Sequence, residues 1–235
     1  LAPLAEAEWI TGSTYAAMPR HKMAEGVALP IFRKVITYDE SIEQATLTAT
    51  ALGVYDITVN GVHVEGHELK PGWTDYRKEV TCQTMDIAPL LRKGENEICA
   101  QLSYGWWAGE ISRGVYGRHT PLALKAEVVI NGQCVARTDD TWQCRETAVR
   151  FSNIYDGEVL DLTANCEKEY AVRLQPQMGY DRVVERLSLP VRVKHTLKVC
   201  TTVLCAGYGF IGIHTDKLPT VLFLDEGIVV ADLGR

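Results

Sequence analysis

Asp156, Glu158 and Asp161 form the densest group of carboxylates in the chain. Glycoside hydrolysis needs two carboxyls facing each other across the scissile bond, about 5 to 9.5 Å apart. On an extended segment Asp156 and Glu158 stand two positions apart, about 6.6 Å, and project in parallel from one face. Such a pair is better suited to holding hydroxyls or a cation than to cleaving a glycosidic bond. It is equally compatible with a solvated strand end whose carboxylates accept from turn amides. Trp106 and Trp107 are the second candidates: adjacent residues of a strand face opposite sides, so one indole points to the core and the other outward. An outward indole framed by Gly105 and Gly109 is a flat apolar platform for the C–H face of a sugar ring. The plainer alternative packs both indoles, one of them beneath a neighbouring loop.

The remaining polar residues carry less. His63 and His67 flank Gly66, but two imidazoles without a third convergent donor imply no metal. His119, His195, Ser112 and Ser152 lack the spacing of a nucleophile with its base. No glycine-rich phosphate loop is present in the sequence.

The elements that would position these residues follow a period of two. Ala45, Leu47, Ala49 and Ala51 alternate with threonines, the pattern of a strand with one buried face. Tyr55, Ile57 and Val59 repeat it and run into Asn60-Gly61, a pair that accepts positive φ at both centres of a type I′ hairpin turn. Leu122 to Ile130, Asn131-Gly132 and Cys134 to Ala136 predict a second hairpin. Further strands are predicted over Phe32 to Tyr38, Val80 to Met85, Glu97 to Leu102, Val191 to Val203 and Val221 to Val230. Helix is scarce: Asp86 can cap one turn over Ile87 to Leu91, with Gly94 available to end it. Short strands between Gly, Asn and Pro turns imply an all-β, antiparallel β-sandwich.

Of the 235 residues, 46% are hydrophobic and 23% charged, with a formal net charge of −6. A chain this apolar can bury enough surface to offset the entropy of ordering, which excludes disorder. No apolar run approaches the roughly 20 residues of a membrane-spanning helix. An acidic balance without a basic face excludes a nucleic-acid partner. Seven cysteines without a CxxC pair imply free thiols and a reducing compartment. With no signal-like segment after Leu1, the expectation is a cytoplasmic setting.

Gly53 to Gly61 (GVYDITVNG) and Met85 to Ile98 (MDIAPLLRKGENEI) resemble the jelly-roll sandwiches that accompany glycoside hydrolases. Leu69 to Lys78 (LKPGWTDYRK) sharpens the match, together with Gly105 to Gly109 (GWWAG), Tyr116-Gly117, Thr138 to Trp142 (TDDTW) and Ile154 to Glu158 (IYDGE). In that order they resemble the N-terminal region of bacterial α-L-rhamnosidases. The resemblance is close from Trp9 to Asp161 and fainter to the end. In that family the hydrolytic carboxylates lie in a later α/α-barrel, and no long 3.6-period helix is visible here.

The resemblance therefore implies a jelly-roll, galactose-binding-like sandwich over residues 42–170, with 1–41 and 171–235 as strands of a neighbouring, partial β-sandwich. It implies a non-catalytic accessory or carbohydrate-recognition portion of an enzyme that removes terminal α-L-rhamnose, inactive alone. The alternative is a purely structural domain that shapes the catalytic barrel. Its expected partners are a rhamnose-containing carbohydrate and the downstream catalytic domain, with Trp106, Trp107, Asp156 and Glu158 as sugar contacts and no catalytic residue. No cofactor is expected: some relatives bind rhamnose with calcium, but Ser103 and Tyr104 stand here where relatives show Asp or Asn, and hard cations need oxygen ligands. In the LKPGWTDYRK run, Trp73 and Tyr76 are expected to bury apolar area while Asp75 pairs with Arg77.

Overall fold

Alternating strands that each have one apolar face must find a second sheet to cover it. In a computed structural model they do so over residues 3–12, 28–109, 121–154, 157–174, 182–185 and 189–193, with further strands at Thr201–Cys205, Thr220–Leu224 and Gly227–Asp232; these are the residues the structure describes. One sheet contains β1 (Ile10–Thr11), β3 (Ala45–Leu52), β6 (Val80–Asp86), β8 (Ala123–Ile130), β9 (Gln133–Arg137), β14 (Arg173–Leu174) and β15 (Val183–Glu185). Its order is β14-β1-β8-β3-β6-β15, with β9 paired to β8. The other sheet contains β2 (Pro30–Tyr38), β4 (Val54–Val59), β5 (Val62–His63), β7 (Gly94–Ser103), β10 (Gln143–Glu146) and β13 (Glu169–Ala171), in the order β13-β10-β2-β7-β4-β5. A separate hairpin joins β11 (Val149–Asn153) to β12 (Gly157–Leu160).

The core lies between the two sheets. Leu47, Ala49, Leu124, Ala126 and Val128 face it from the first, and Phe32, Ile57, Ile98, Ala100 and Leu102 from the second. Ala49 lies opposite Ala126 in the ladder. These small side chains leave room for the Tyr55 ring of the opposite sheet, whose hydroxyl reaches the Ala49 carbonyl at 3.1 Å. Both Asn-Gly turns carry positive φ at both residues, as the sequence predicts: 52° and 78° at Asn60 and Gly61, 49° and 81° at Asn131 and Gly132. Asp86 accepts from the Ala88 amide at 2.9 Å and starts a 3-10 turn over Ala88–Leu90. Gly94 opens β7 instead of ending that turn.

The domain boundaries differ from the expectation. Pro30–Tyr38 pairs with β7 from Ile31 against Gln101 to Tyr38 against Gly94, well inside the second sheet. β1, β14 and β15 are likewise strands of the first sheet, so β1 and β2 before residue 42 and β14 and β15 after residue 170 belong to this sandwich. The pairing is antiparallel except at β15, which runs parallel to β6 from Val183 beside Val80. The chain divides into a unit of Leu1–Val191 and a second of Arg192–Arg235. The second holds β16 (Thr201–Cys205), β17 (Thr220–Leu224) and β18 (Gly227–Asp232) in the antiparallel order β16-β18-β17. The single strand expected over Val221 to Val230 is thus two strands paired to each other.

Candidate functional site

β7 ends at Ser103, paired with Val54 at the start of β4. The chain then turns through a one-turn helix, α1 (Gly105–Ala108), and this replaces the strand expected at the tandem tryptophans. Contact with two neighbours selects the turn. A Cβ on Gly105, which has φ +49°, would lie 2.3 Å from Val54 Cγ2. One on Gly109 would lie 2.2 Å from the Gly105 carbonyl oxygen and 2.6 Å from Asn153 Oδ1. The two glycines that frame the tryptophans are therefore where α1 presses on β4 and β11.

On a helical turn, adjacent side chains diverge by about 100° instead of 180°. Trp107 is 0% exposed and meets the Tyr76 ring edge-on, 5.4 Å between centroids. Trp106 is half-buried against the same core. Tyr104 packs on Phe151 of β11 at 6.0 Å. Its hydroxyl is buried and, among the described residues, makes no hydrogen bond.

Beyond Asn153 the β11–β12 hairpin carries Glu158, exposed and paired with Ser152. Asn153 pairs with Gly157 at the tip, so Gly109 against Asn153 brings the tryptophan turn next to the acidic hairpin. Forty-odd residues separate the two segments in sequence. Asp156 lies outside the described residues, as do Ser112, Tyr116, Gly117, His119, His195 and Cys200. Asp161 has a structural partner set. It accepts from the Thr163 amide at 2.9 Å and hydroxyl at 2.7 Å and pairs with Arg150 at 3.3 Å. Those Thr163 hydrogen bonds, helped by Arg150, hold its carboxyl below the usual range.

The LKPGWTDYRK run departs from expectation in one residue. Tyr76 is buried, and Asp75 pairs with Arg77 at 2.9 Å and Lys78 at 3.6 Å, which keeps the Asp75 carboxyl low. Trp73, expected in the core, is 63% exposed. It belongs to a loop rather than a strand, so no alternation fixes its side. Nothing in its sequence neighbourhood signals this. Just before it, the Lys70 ammonium is buried near the Tyr55 ring. Burial lowers its pKa, opposed by the charges of Asp56 and Glu68. His63 places Nδ1 2.9 Å from Asp56 Oδ1 and Nε2 3.5 Å from Glu68 Oε1. The two carboxylates sit on opposite edges of the ring and do not converge on one point.

A family model described as the α-L-rhamnosidase N-terminal domain matches residues 40–194. The chain belongs to the α-L-rhamnosidase N-terminal domain family. Curated α-L-rhamnosidases match it at 32% identity over 136 residues, from Formosa agariphila, and at 44% over 80 residues, from Streptomyces avermitilis. The first match covers 55% of this chain and 15% of the relative; the second covers 34% and 8%. Among solved structures, the α-L-rhamnosidase of Aspergillus terreus superposes with a TM-score of 0.70 at 24% identity, over 86% of this chain and 25% of that one. The S. avermitilis enzyme complexed with L-rhamnose gives 0.63 at 26%, over 76% and 19%. The chain thus spans a quarter or less of the length of these relatives, and the family's β-sandwich is the part it shares.

Proposed function

We propose that this chain is the accessory N-terminal portion of an α-L-rhamnosidase-type glycoside hydrolase, the parent enzyme removing terminal α-L-rhamnose, and that its own work is to hold a rhamnose-containing glycan. The supporting observation is the meeting of α1 with the β11–β12 hairpin at Gly109 and Asn153. It brings the turn that carries the half-exposed Trp106 next to the hairpin that carries the exposed Glu158. An indole face takes the apolar side of a pyranose, and a carboxylate accepts from its hydroxyls. Trp107, next in sequence, lies in the core, and Asp156 is the further carboxylate of this reading. No resident cofactor is assigned: of the two residues before Gly105, Ser103 is half-buried and the Tyr104 hydroxyl is buried. The hydrolytic step belongs to a catalytic domain of the same polypeptide.

Calorimetric titration with L-rhamnose tests the reading. Millimolar-to-micromolar binding is expected, lost in Trp106→Ala, with no release of nitrophenol from an aryl rhamnoside. Silence across a broad sugar panel overturns it. A purely structural role is the second reading, favoured by Leu160 and Leu162, which stand exposed just past Glu158 as a docked domain would require.

A further inference from the structure

We propose that Trp73 is a second aromatic contact for the glycan, so that the site takes a chain of at least two sugar rings instead of one terminal residue. This extends the reading above and depends on it. Tryptophan is among the side chains with most apolar area to bury, and Trp73 leaves 63% of its surface exposed. The loop at Trp73 is not free to move. The Pro71 carbonyl accepts from Thr81 Oγ1 at 2.7 Å and Gln83 Nε2 at 3.0 Å. The Tyr76 hydroxyl donates to the Gly72 carbonyl at 3.0 Å, and Thr74 Oγ1 donates to the Glu79 carbonyl at 2.7 Å. The backbone on both sides of Trp73 is fixed while the indole stays in solvent, which is the preorganisation that lowers the cost of binding.

The position points to the ligand. Tyr76, three residues on, meets Trp107 edge-on, and Trp107 adjoins Trp106. The two accessible indoles, Trp73 and Trp106, thus belong to segments joined through one buried aromatic pair: Tyr76 bonds the Gly72 carbonyl beside Trp73, and Trp107 follows Trp106 in the turn after β7. In this proposal a ring stacked on Trp106 leaves Trp73 for the next. Asp75, Arg77 and Lys78 follow Trp73, with Arg77 and Lys78 largely exposed. An apolar face bordered by hydrogen-bonding groups suits a polyhydroxylated ligand.

The experiment is calorimetry on the whole chain with two probes, L-rhamnose and the disaccharide α-L-rhamnosyl-(1→6)-glucose. Wild type is expected to bind the disaccharide more tightly. Trp73→Ala is expected to lose about tenfold in disaccharide affinity with L-rhamnose affinity unchanged, and Trp73→Phe to recover most of the loss. Near-ultraviolet circular dichroism of each variant reports its fold. Equal disaccharide affinity in Trp73→Ala and wild type overturns the inference and leaves the Trp106 site standing; it would assign Trp73 to a protein partner. Loss of L-rhamnose binding in Trp73→Ala with native dichroism also overturns it, because Trp73 would then share the first ring. A wild type that binds neither probe overturns both readings.

Discussion

The Tyr55 hydroxyl lies 2.8 Å from Gln83 Oε1, and the other end of that amide donates to the Pro71 carbonyl. A buried phenol in the core thus braces the loop that presents Trp73, and a change at Tyr55 should be felt at the surface. Burial raises the Tyr55 hydroxyl well above the ordinary phenol range, so it is protonated and available to donate.

Tyr55→Phe should therefore destabilise the sandwich by about 1–2 kcal/mol, because the buried Ala49 carbonyl and the half-buried Gln83 amide lose its hydroxyl. Tyr104→Phe removes a hydroxyl that has no hydrogen bond among the described residues and should be neutral or slightly stabilising. Urea denaturation of the two variants side by side checks this. Equal losses would mean that the Tyr104 hydroxyl has a partner.

Gly109→Ala tests the junction on which the candidate site depends. The added methyl would meet the Gly105 carbonyl and Asn153 Oδ1 well inside van der Waals contact. Overpacking of this kind costs about 1–3 kcal/mol. The loss of stability should come with weaker L-rhamnose binding, since α1 and the β11–β12 hairpin must separate. Unchanged affinity in the folded variant would show that the two segments bind independently.

Stability should fall at both ends of the pH scale. Burial pushes the Cys82 and Cys99 thiols up to about 11. Between the unfolded value near 8.5 and that figure, the unfolded chain releases protons that the folded one keeps, so stability declines as pH rises. At the acid end, Asp75 and Asp161 have depressed folded values. Their contribution is complete above the unfolded value near 3.9 and is lost as pH falls through the folded one. Midpoints of urea unfolding from pH 3 to 10 check both limbs. Both thiols should also resist alkylation at pH 8 until denaturant is added; prompt labelling of the native protein would contradict their burial.

The sequence makes legible what local physics decides. Asn60-Gly61 and Asn131-Gly132 need no partner to favour their turns, and the alternation at Ala45 to Ala51 announces its buried face. Thr50 breaks that alternation by being buried, satisfied by its bond to the Thr81 carbonyl, which lies 31 residues away. The place of β2 is hidden for the same reason: it depends on β7, some sixty residues later. Trp106 and Trp107 were recognisable as residues, yet their helical turn depends on how closely Val54 and Asn153 approach. Trp73 was recognisable only as part of a motif, because a braced loop leaves no periodic trace of which way a side chain points.

Asn96 is the last residue whose role could be found only in three dimensions. Its side chain is fully buried. It accepts from the Arg92 amide at 2.8 Å and from Asn60 Nδ2 at 2.9 Å, and it donates to the Arg92 and Gly94 carbonyls at 2.7 and 3.0 Å. Asn60 in turn donates to the Leu90 carbonyl at 2.8 Å and accepts from the Glu97 amide at 3.0 Å. One amide pair thus ties the first Asn-Gly hairpin to the 3-10 turn and the start of β7. Asn96→Ala should cost about 2–4 kcal/mol, more than a single hydrogen bond, because four hydrogen bonds of one buried amide are lost at once. Asn60→Ala should cost less than Asn96→Ala, and the double variant should cost less than the sum of the two single ones. A double-mutant cycle by urea denaturation measures that coupling; strict additivity would mean that the two asparagines do not act as one network. The affected end is opposite the Ser103–Val54 pair that carries α1, so L-rhamnose binding by the folded Asn96→Ala chain should be unchanged.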